Sequence, residues 1–328
     1  MPDLRVEIAG VRLLNPLVLA SGIWGTTPEL LERAARAGAG AVTAKTCTPA
    51  ARRGHRNPTA LDWGHGLLNA MGLPNPGAEE EAAMLAEARR RIGLLGVPLI
   101  ASIAADTVEG FAEAAAVVSR ARPDLIEVNI SCPNVAADHG EMFASSPAAA
   151  AEATRAAKGA TSIPCLVKLS PNVADIAAVA RAVAAAGADG ITAVNTMPGM
   201  LVDPETGCPI LANRTGGISG SALKPVALRC VYEVCAAVGI PVIGTGGIGS
   251  GADALEMISV GAAAVGVGTA VAACGEGIFA RILDEMGGWM VAHGFDGLAA
   301  IRGRAHRATP VAGETNLPPV PGWRPHEG

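Results

Sequence analysis

A short unit recurs three times along the chain: Ala37-Gly38-Ala39-Gly40-Ala41-Val42-Thr43, Ala186-Gly187-Ala188-Asp189-Gly190-Ile191-Thr192 and Val260-Gly261-Ala262-Ala263-Ala264-Val265-Gly266. In each, a glycine is free to make the left-handed turn that ends a helix, and the apolar run after it reads as a short buried strand. Further strands read at residues 17–20, 98–103, 125–130, 163–169 and 240–245, which brings the total to eight. Alanine-rich amphipathic stretches separate them, for example at 28–37, 108–121, 147–158, 173–186, 223–238 and 252–260. Strict alternation of strand and helix implies parallel strands. Eight such units favour an α/β fold closed as a (β/α)8 TIM barrel over an open doubly wound sheet, and 328 residues accommodate one. Residues 1–305 read as that single domain, with long loops at 47–75 and 197–220 as candidate lids or binding loops. Residues 306–328 read as a Pro-rich, mobile tail.

Half of the residues are hydrophobic but only 3% are aromatic, so the core must be packed mainly with Ala, Val, Leu and Ile. The net charge is −5, and basic residues cluster only at Arg52-Arg53 and Arg89-Arg90-Arg91, which argues against a nucleic-acid surface. No stretch reads as a signal peptide or as a membrane span of roughly 18 residues, so the expectation is a soluble, cytoplasmic protein. Seven cysteines without regular spacing fit free thiols in a reducing compartment, and six scattered histidines give no metal-ligand pattern.

Sites in such barrels are built at the carboxyl ends of the strands. The fourth strand carries Asn129 and Ser131 inward and runs into Cys132-Pro133-Asn134. A lone cysteine is usually a small buried hydrophobe, and Cys47, Cys165, Cys208, Cys230, Cys235 and Cys274 have only that reading or a surface one. Cys132 differs by its place on the rim, where a thiol of pKa about 8.5 can serve as a base if its site lowers that value. Lys45 ends the second strand and Lys168 the fifth. A single such lysine would snorkel to solvent, but two at equivalent positions point to an anionic ligand. Asn69, Asn129, Asn134 and Asn195 add amides that can read a ligand bearing donors and acceptors, such as a pyrimidine or flavin edge.

Residues 244–251 contain a G-x-G-x-x-G match after a strand and before a helix, yet no acidic residue follows about 20 positions on, as a dinucleotide fold requires. In a barrel these glycines end the seventh strand, and Gly266-Val267-Gly268-Thr269 ends the eighth. Loops in those two places form the usual barrel phosphate site.

Taken together, these residues resemble dihydroorotate dehydrogenases from about Leu14 to Ala272. The motifs that carry the resemblance are Ala20-Ser21-Gly22, Lys45-Thr46, Asn69-Ala70-Met71-Gly72-Leu73, Asn129-Ile130-Ser131-Cys132-Pro133-Asn134, Val167-Lys168-Leu169-Ser170-Pro171-Asn172, Val194-Asn195-Thr196, Thr215-Gly216-Gly217-Ile218-Ser219-Gly220 and Gly246-Gly247. Cysteine rather than serine at 132 is similar to class 1, and residues 195–200 are more like class 1B than 1A. The resemblance implies one FMN per chain and oxidation of dihydroorotate to orotate in pyrimidine synthesis. Cys132 is then the base, and Lys45, Asn69–Leu73, Asn129, Asn134, Asn195 and Thr196 hold the substrate. Ser21, Lys45, Thr46, Ser102, Asn129, Lys168, Val194 and Gly220 line the flavin, and Gly246, Gly247, Gly268 and Thr269 hold its phosphate. It also implies a homodimer, or a heterotetramer with a partner subunit carrying FAD and a [2Fe–2S] cluster that passes electrons to NAD. The chain departs from the class 1B pattern at Ser102, Ser221 and Lys45-Thr46-Cys47-Thr48, which leaves fumarate open as an acceptor. Rival readings are a dihydropyrimidine dehydrogenase-like flavoenzyme, a flavin-free lyase using Lys168 as a Schiff base, and a non-catalytic scaffold.

Overall fold

The computed structural model describes residues 2–131 and 143–308. Eight parallel strands close into a barrel in which each strand neighbours the next in the chain. They are β1 (Leu17–Leu19), β2 (Ala41–Thr43), β3 (Leu99–Ile103), β4 (Leu125–Asn129), β5 (Cys165–Leu169), β6 (Gly190–Ala193), β7 (Val242–Thr245) and β8 (Ala264–Val267). These are the eight strands read from the sequence, and the fold is the expected (β/α)8 barrel. The helices that ring it are α1 (Pro28–Arg36), α2 (Ala78–Ile92), α3 (Val108–Ser119), α4 (Pro147–Gly159), α5 (Ile176–Ala185), α6 (Lys224–Ala237) and α7 (Gly251–Ser259). After β8 come α8 (Thr269–Cys274) and α9 (Ile278–Ala292).

Local chemistry sets the helix boundaries. Thr27, Thr107, Ser146, Asp175 and Ser250 each accept a hydrogen bond from a first-turn N–H, and Pro28 and Pro147 follow their caps where a missing N–H costs nothing. The glycines of the recurring unit behave as read: Gly38, Gly187 and Gly261 all have positive φ, at 105°, 98° and 115°.

A strand inside a closed barrel points alternate side chains at the axis and at the helices. The outward set, including Leu19, Val42, Leu99, Val128, Val167 and Val265, shares one buried cluster with Leu31, Leu85, Phe111 and the alanines of the helix ring. The inward set forms layers. At the amino end, Val18, Ala41, Ile100, Leu125, Leu166 and Ile243 pack against Ile8 and Leu13. Those two residues come from an antiparallel hairpin, Val6–Ile8 with Val11–Leu13, which plugs the bottom of the barrel. Two residues further along the strands the interior turns polar, with Thr43, Ser102, Glu127, Lys168, Thr192 and Thr245.

The connections after β2 and β6, read as loops, carry short strands. Ala60–Asp62, Leu67–Asn69, Gly216–Ser219 and Met197–Gly199 pair as a four-stranded antiparallel sheet beside the carboxyl mouth. No one of them exceeds four residues, so none shows a period in sequence; each is ordered by a partner supplied from the other connection or from its own hairpin.

Leu13→Ala should open a cavity under the barrel and destabilise the chain by about 2–5 kcal/mol, read as a lower midpoint in chemical denaturation.

Candidate active site

The carboxyl mouth gathers most of the residues singled out from the sequence. Lys168 sits on β5 with 8% of its side chain exposed, and its Nζ lies 3.7 Å from Oε1 of Glu127 on β4, itself 5% exposed. Ser102 Oγ on β3 donates to the same carboxylate oxygen at 3.0 Å. From Ser102 a row of hydroxyls continues to Thr46 at 2.8 Å and on to Ser21 at 2.9 Å. Ser21, Thr46 and Ser102, read from three different strand ends, thus form one hydrogen-bonded wall with Glu127, to which Lys168 from a fourth is joined by its ion pair.

A second network lies beside it. Asn129 pairs in register with Lys168 across β4 and β5. Its Oδ1 accepts from Ser131 Oγ at 2.7 Å, and Asn195 Nδ2 donates to Ser131 Oγ at 2.6 Å. Asn195 Oδ1 accepts from the N–H of Thr196, whose carbonyl accepts from Asn172 Nδ2 at 3.1 Å. Asn129, Ser131, Asn195 and Thr196 are therefore locked to one another. Val194 is buried, and its N–H donates to Thr245 O at 2.9 Å. Cys132 and Asn134 lie outside the described residues.

Lys45, two residues past β2, is half-buried; its backbone N–H donates to Gly25 O at 2.8 Å, but its Nζ makes no hydrogen bond or ion pair among the described residues, and a side chain at Gly22 would come within 3.9 Å of that Nζ. Burial lowers its pKa, the charge of Lys168 lowers it further, and Glu81 opposes both. Glu81 lies in the first turn of α2, 3% exposed, with a buried Oε1 that has no hydrogen-bond partner among the described residues. Burial pushes this carboxyl from 4.5 up to about 8, against the pull of Lys45.

Asn69 stands on the antiparallel sheet, its Nδ2 donating to Gly217 O at 3.3 Å. Ala70, Met71 and Gly72 follow it: Met71 O accepts from His55 N, and Gly72 sits against the same histidine. Leu73 turns back to pack on the main core. The described contacts of residues 70–73 thus run to His55, Thr59 and the core.

At the opposite side of the mouth, the loops after β7 and β8 meet the segment at Gly220. A Cβ at Gly247 would collide with Lys224, and one at Gly220 would lie 2.7 Å from Gly66 Cα and 3.2 Å from Thr269. Thr269 Oγ1 donates to Ser219 Oγ at 2.8 Å. The backbone N–H groups of Gly246, Gly247, Gly268 and Thr269 donate to no described residue. Four unpaired amides, two of them on Gly246 and Gly247 where a Cβ would collide with neighbours, make a site for an anion's oxygens.

The six cysteines given a core or surface reading are free thiols. Cys47, Cys165 and Cys230 are buried and Cys208 and Cys274 exposed, and burial pushes the Cys165 and Cys235 thiols up to about 12. Among the described residues no cluster of His, Cys, Asp and Glu could hold a metal, and no helix is long and apolar enough to cross a membrane.

Two acids escaped the sequence reading. Glu127 carried a signal, since it lies two residues before Asn129 on a buried strand and so shares its inward face. Glu81 carried little, because in the run Glu79-Glu80-Glu81 it reads as one more solvated charge at a helix start.

A family model described as dihydroorotate dehydrogenase matches residues 3–290. The catalytic subunit of dihydroorotate dehydrogenase B (NAD(+)) from Methanosarcina mazei is 44% identical over 304 residues, covering 92% of this chain and 95% of its own. Its counterpart from Methanocaldococcus jannaschii is 42% identical over 283 residues, with 86% and 92% covered. That from Anoxybacillus flavithermus is 46% identical over 272 residues, with 82% and 86% covered.

The raised pKa of Glu81 has a definite sign in stability. The folded chain holds this proton more tightly than the unfolded one, so the contribution is full below about pH 4.5 and is lost as pH rises through about 8. Glu81→Gln does not titrate, and its melting temperature relative to the parent should rise by about 2 °C or more between pH 5 and pH 9. A difference that stays flat across that range would contradict the assignment.

Proposed function

The chain belongs to the dihydroorotate dehydrogenase family, and from that membership we propose that it oxidises dihydroorotate to orotate, a step of pyrimidine biosynthesis, on a bound FMN. The observation that carries this reading is the pair of lysines at one barrel mouth. Lys168 is compensated by Glu127, while the Nζ of Lys45 has no ion-pair partner among the described residues, and fixed amides stand on other strand ends of the same barrel. Such a mouth suits a planar, amide-bearing ring with a carboxylate on one end.

The residues present also fit FMN. The unpaired amides at Gly246, Gly247, Gly268 and Thr269 suit its phosphate, and Thr192 Oγ1, buried without a partner among the described residues, lies on the cavity that Lys168 lines. Ser21, Thr46, Ser102, Val194 and Gly220 would line the ring, and Lys168 its N1/O2 edge. When bound, the flavin supplies the acceptor for the hydride leaving C6 of the substrate.

The chain's own residues supply the rest. Lys45 holds the substrate carboxylate, and Asn69–Leu73, Asn129, Asn134, Asn195 and Thr196 hold the ring amides, so that binding fixes C5 and C6 in place. Cys132, assigned from its motif and following directly on the Asn129–Ser131–Asn195 network, takes the proton from C5. Loss of that proton and of the C6 hydride leaves the C5–C6 double bond of orotate. Lys168 offers a fixed positive charge where negative charge accumulates on reduction.

The names of the relatives, with their NAD(+) and catalytic subunit, support a separate electron-transfer partner for this chain as well. The sequence has no four-cysteine cluster motif, so FAD and the [2Fe–2S] centre would sit on that partner. A homodimer of this chain flanked by two partner chains, in the cytoplasm, is the arrangement we propose.

Anaerobic mixing of the FMN-loaded chain with dihydroorotate should bleach the flavin, whereas dihydrouracil should not. Bleaching by dihydrouracil alone would move the chain to a dihydropyrimidine-type flavoenzyme. Cys132→Ala should retain FMN and orotate yet slow flavin reduction about 10²-fold or more in stopped flow, and a near-native rate would remove Cys132 from its role. Lys45→Ala should weaken orotate binding by about tenfold in titration against the flavin spectrum, or about 1.4 kcal/mol; unchanged affinity would count against the carboxylate contact.

A further inference from the structure

Glu127 has no part in the chemistry above, yet its placement is costly and specific. A carboxylate inside a barrel loses its hydration, and it persists only where partners replace the water. Glu127 has two: Ser102 Oγ at 3.0 Å and Lys168 Nζ at 3.7 Å, both on the same oxygen. The hydroxyl row through Thr46 to Ser21 holds Ser102 in turn, so the carboxylate is fixed from three other strand ends. Lys168 has no second acid: Glu127 and Glu81 are the buried acids among the described residues, and the described ion pairs give Lys168 Glu127 alone. The ammonium group of Lys168 thus has one carboxylate partner, 3.7 Å away on the adjoining strand.

We propose that Glu127 is a positioning residue that sets the reduction potential of the bound flavin through Lys168. This rests on the reading that FMN binds at the mouth with its N1/O2 edge at Lys168. As a fixed counter-charge, Glu127 holds the ammonium group in place and weakens the positive field at that edge. The reduced, negatively charged ring is then stabilised less than a free lysine would stabilise it, and gives up its electrons more readily. Transfer onward to an acceptor as hard to reduce as NAD(+) needs a flavin of that kind.

The test is the midpoint potential of the FMN-loaded chain, measured by anaerobic dye equilibration for the parent, Glu127→Gln and Glu127→Asp. Removal of the charge in Glu127→Gln should shift the two-electron equilibrium toward reduced flavin about tenfold, an upward move of about 30 mV. Glu127→Asp keeps the charge but draws it back by one methylene, and should shift the equilibrium the same way by a smaller factor. It also serves as the readout if the glutamine variant does not load FMN. A purely structural Glu127 would lower melting temperature and flavin content with a change of less than twofold in the equilibrium in both variants, and that result overturns the proposal. If the parent chain binds no FMN, or bound FMN is not reduced by dihydroorotate, the reading of the site fails instead, and this inference with it.

Discussion

Closure of eight parallel strands puts every second side chain of each strand on a common axis, and that axis has to be filled from bottom to top without voids. Here the lowest layer is apolar, plugged by Ile8 and Leu13 of the amino-terminal hairpin, and excludes water. The next layer holds threonines, Ser102, Glu127 and Lys168; Ser102 and Lys168 both engage Glu127, while Thr192 Oγ1 is buried with no partner among the described residues. The site is therefore an extension of the core: the same alternation that seals the barrel delivers its functional side chains, with Ser102, Glu127 and Lys168 already held by one another.

The electrostatics follow from depth. Lys168 and Glu127 sit low enough to lose most of their hydration and are matched one to one. Lys45 sits a layer higher, half-buried, and the acid that acts on it is Glu81, a carboxyl that burial drives toward its neutral form. The mouth thus carries one internally compensated lysine and one whose charge is available to a ligand. Two lysines with similar sequence contexts, each just after an apolar run, acquire different roles because one has an acid within a few ångströms on the adjoining strand.

Much of this was legible in the chain. Apolar runs at regular spacing marked all eight barrel strands, and the glycines at 38, 187 and 261 marked helix ends by a backbone requirement that few other residues meet. Strand parity placed Asn129 and Ser131 in the interior, and could have placed Glu127 with them. The four-stranded antiparallel sheet beside the mouth was not legible: Asn69 and Gly217 pair across 148 residues, and neither strand is long enough to show a period. Nor was the burial of Glu81, whose neighbours Glu79 and Glu80 are exposed.

The sequence by itself determined the local geometry and the repeat, because caps, glycine turns and hydrophobic period act over a few residues. From those alone the barrel and the inventory of its rim follow. Tertiary structure alone decided which rim residues meet: that Ser21, Thr46, Ser102 and Glu127 form one row, that Lys168 and not Lys45 has a buried counter-charge, and that two distant connections become one sheet. Those outcomes depend on strand register and tilt around a closed barrel, which bring together residues far apart in the chain and carry no local signature.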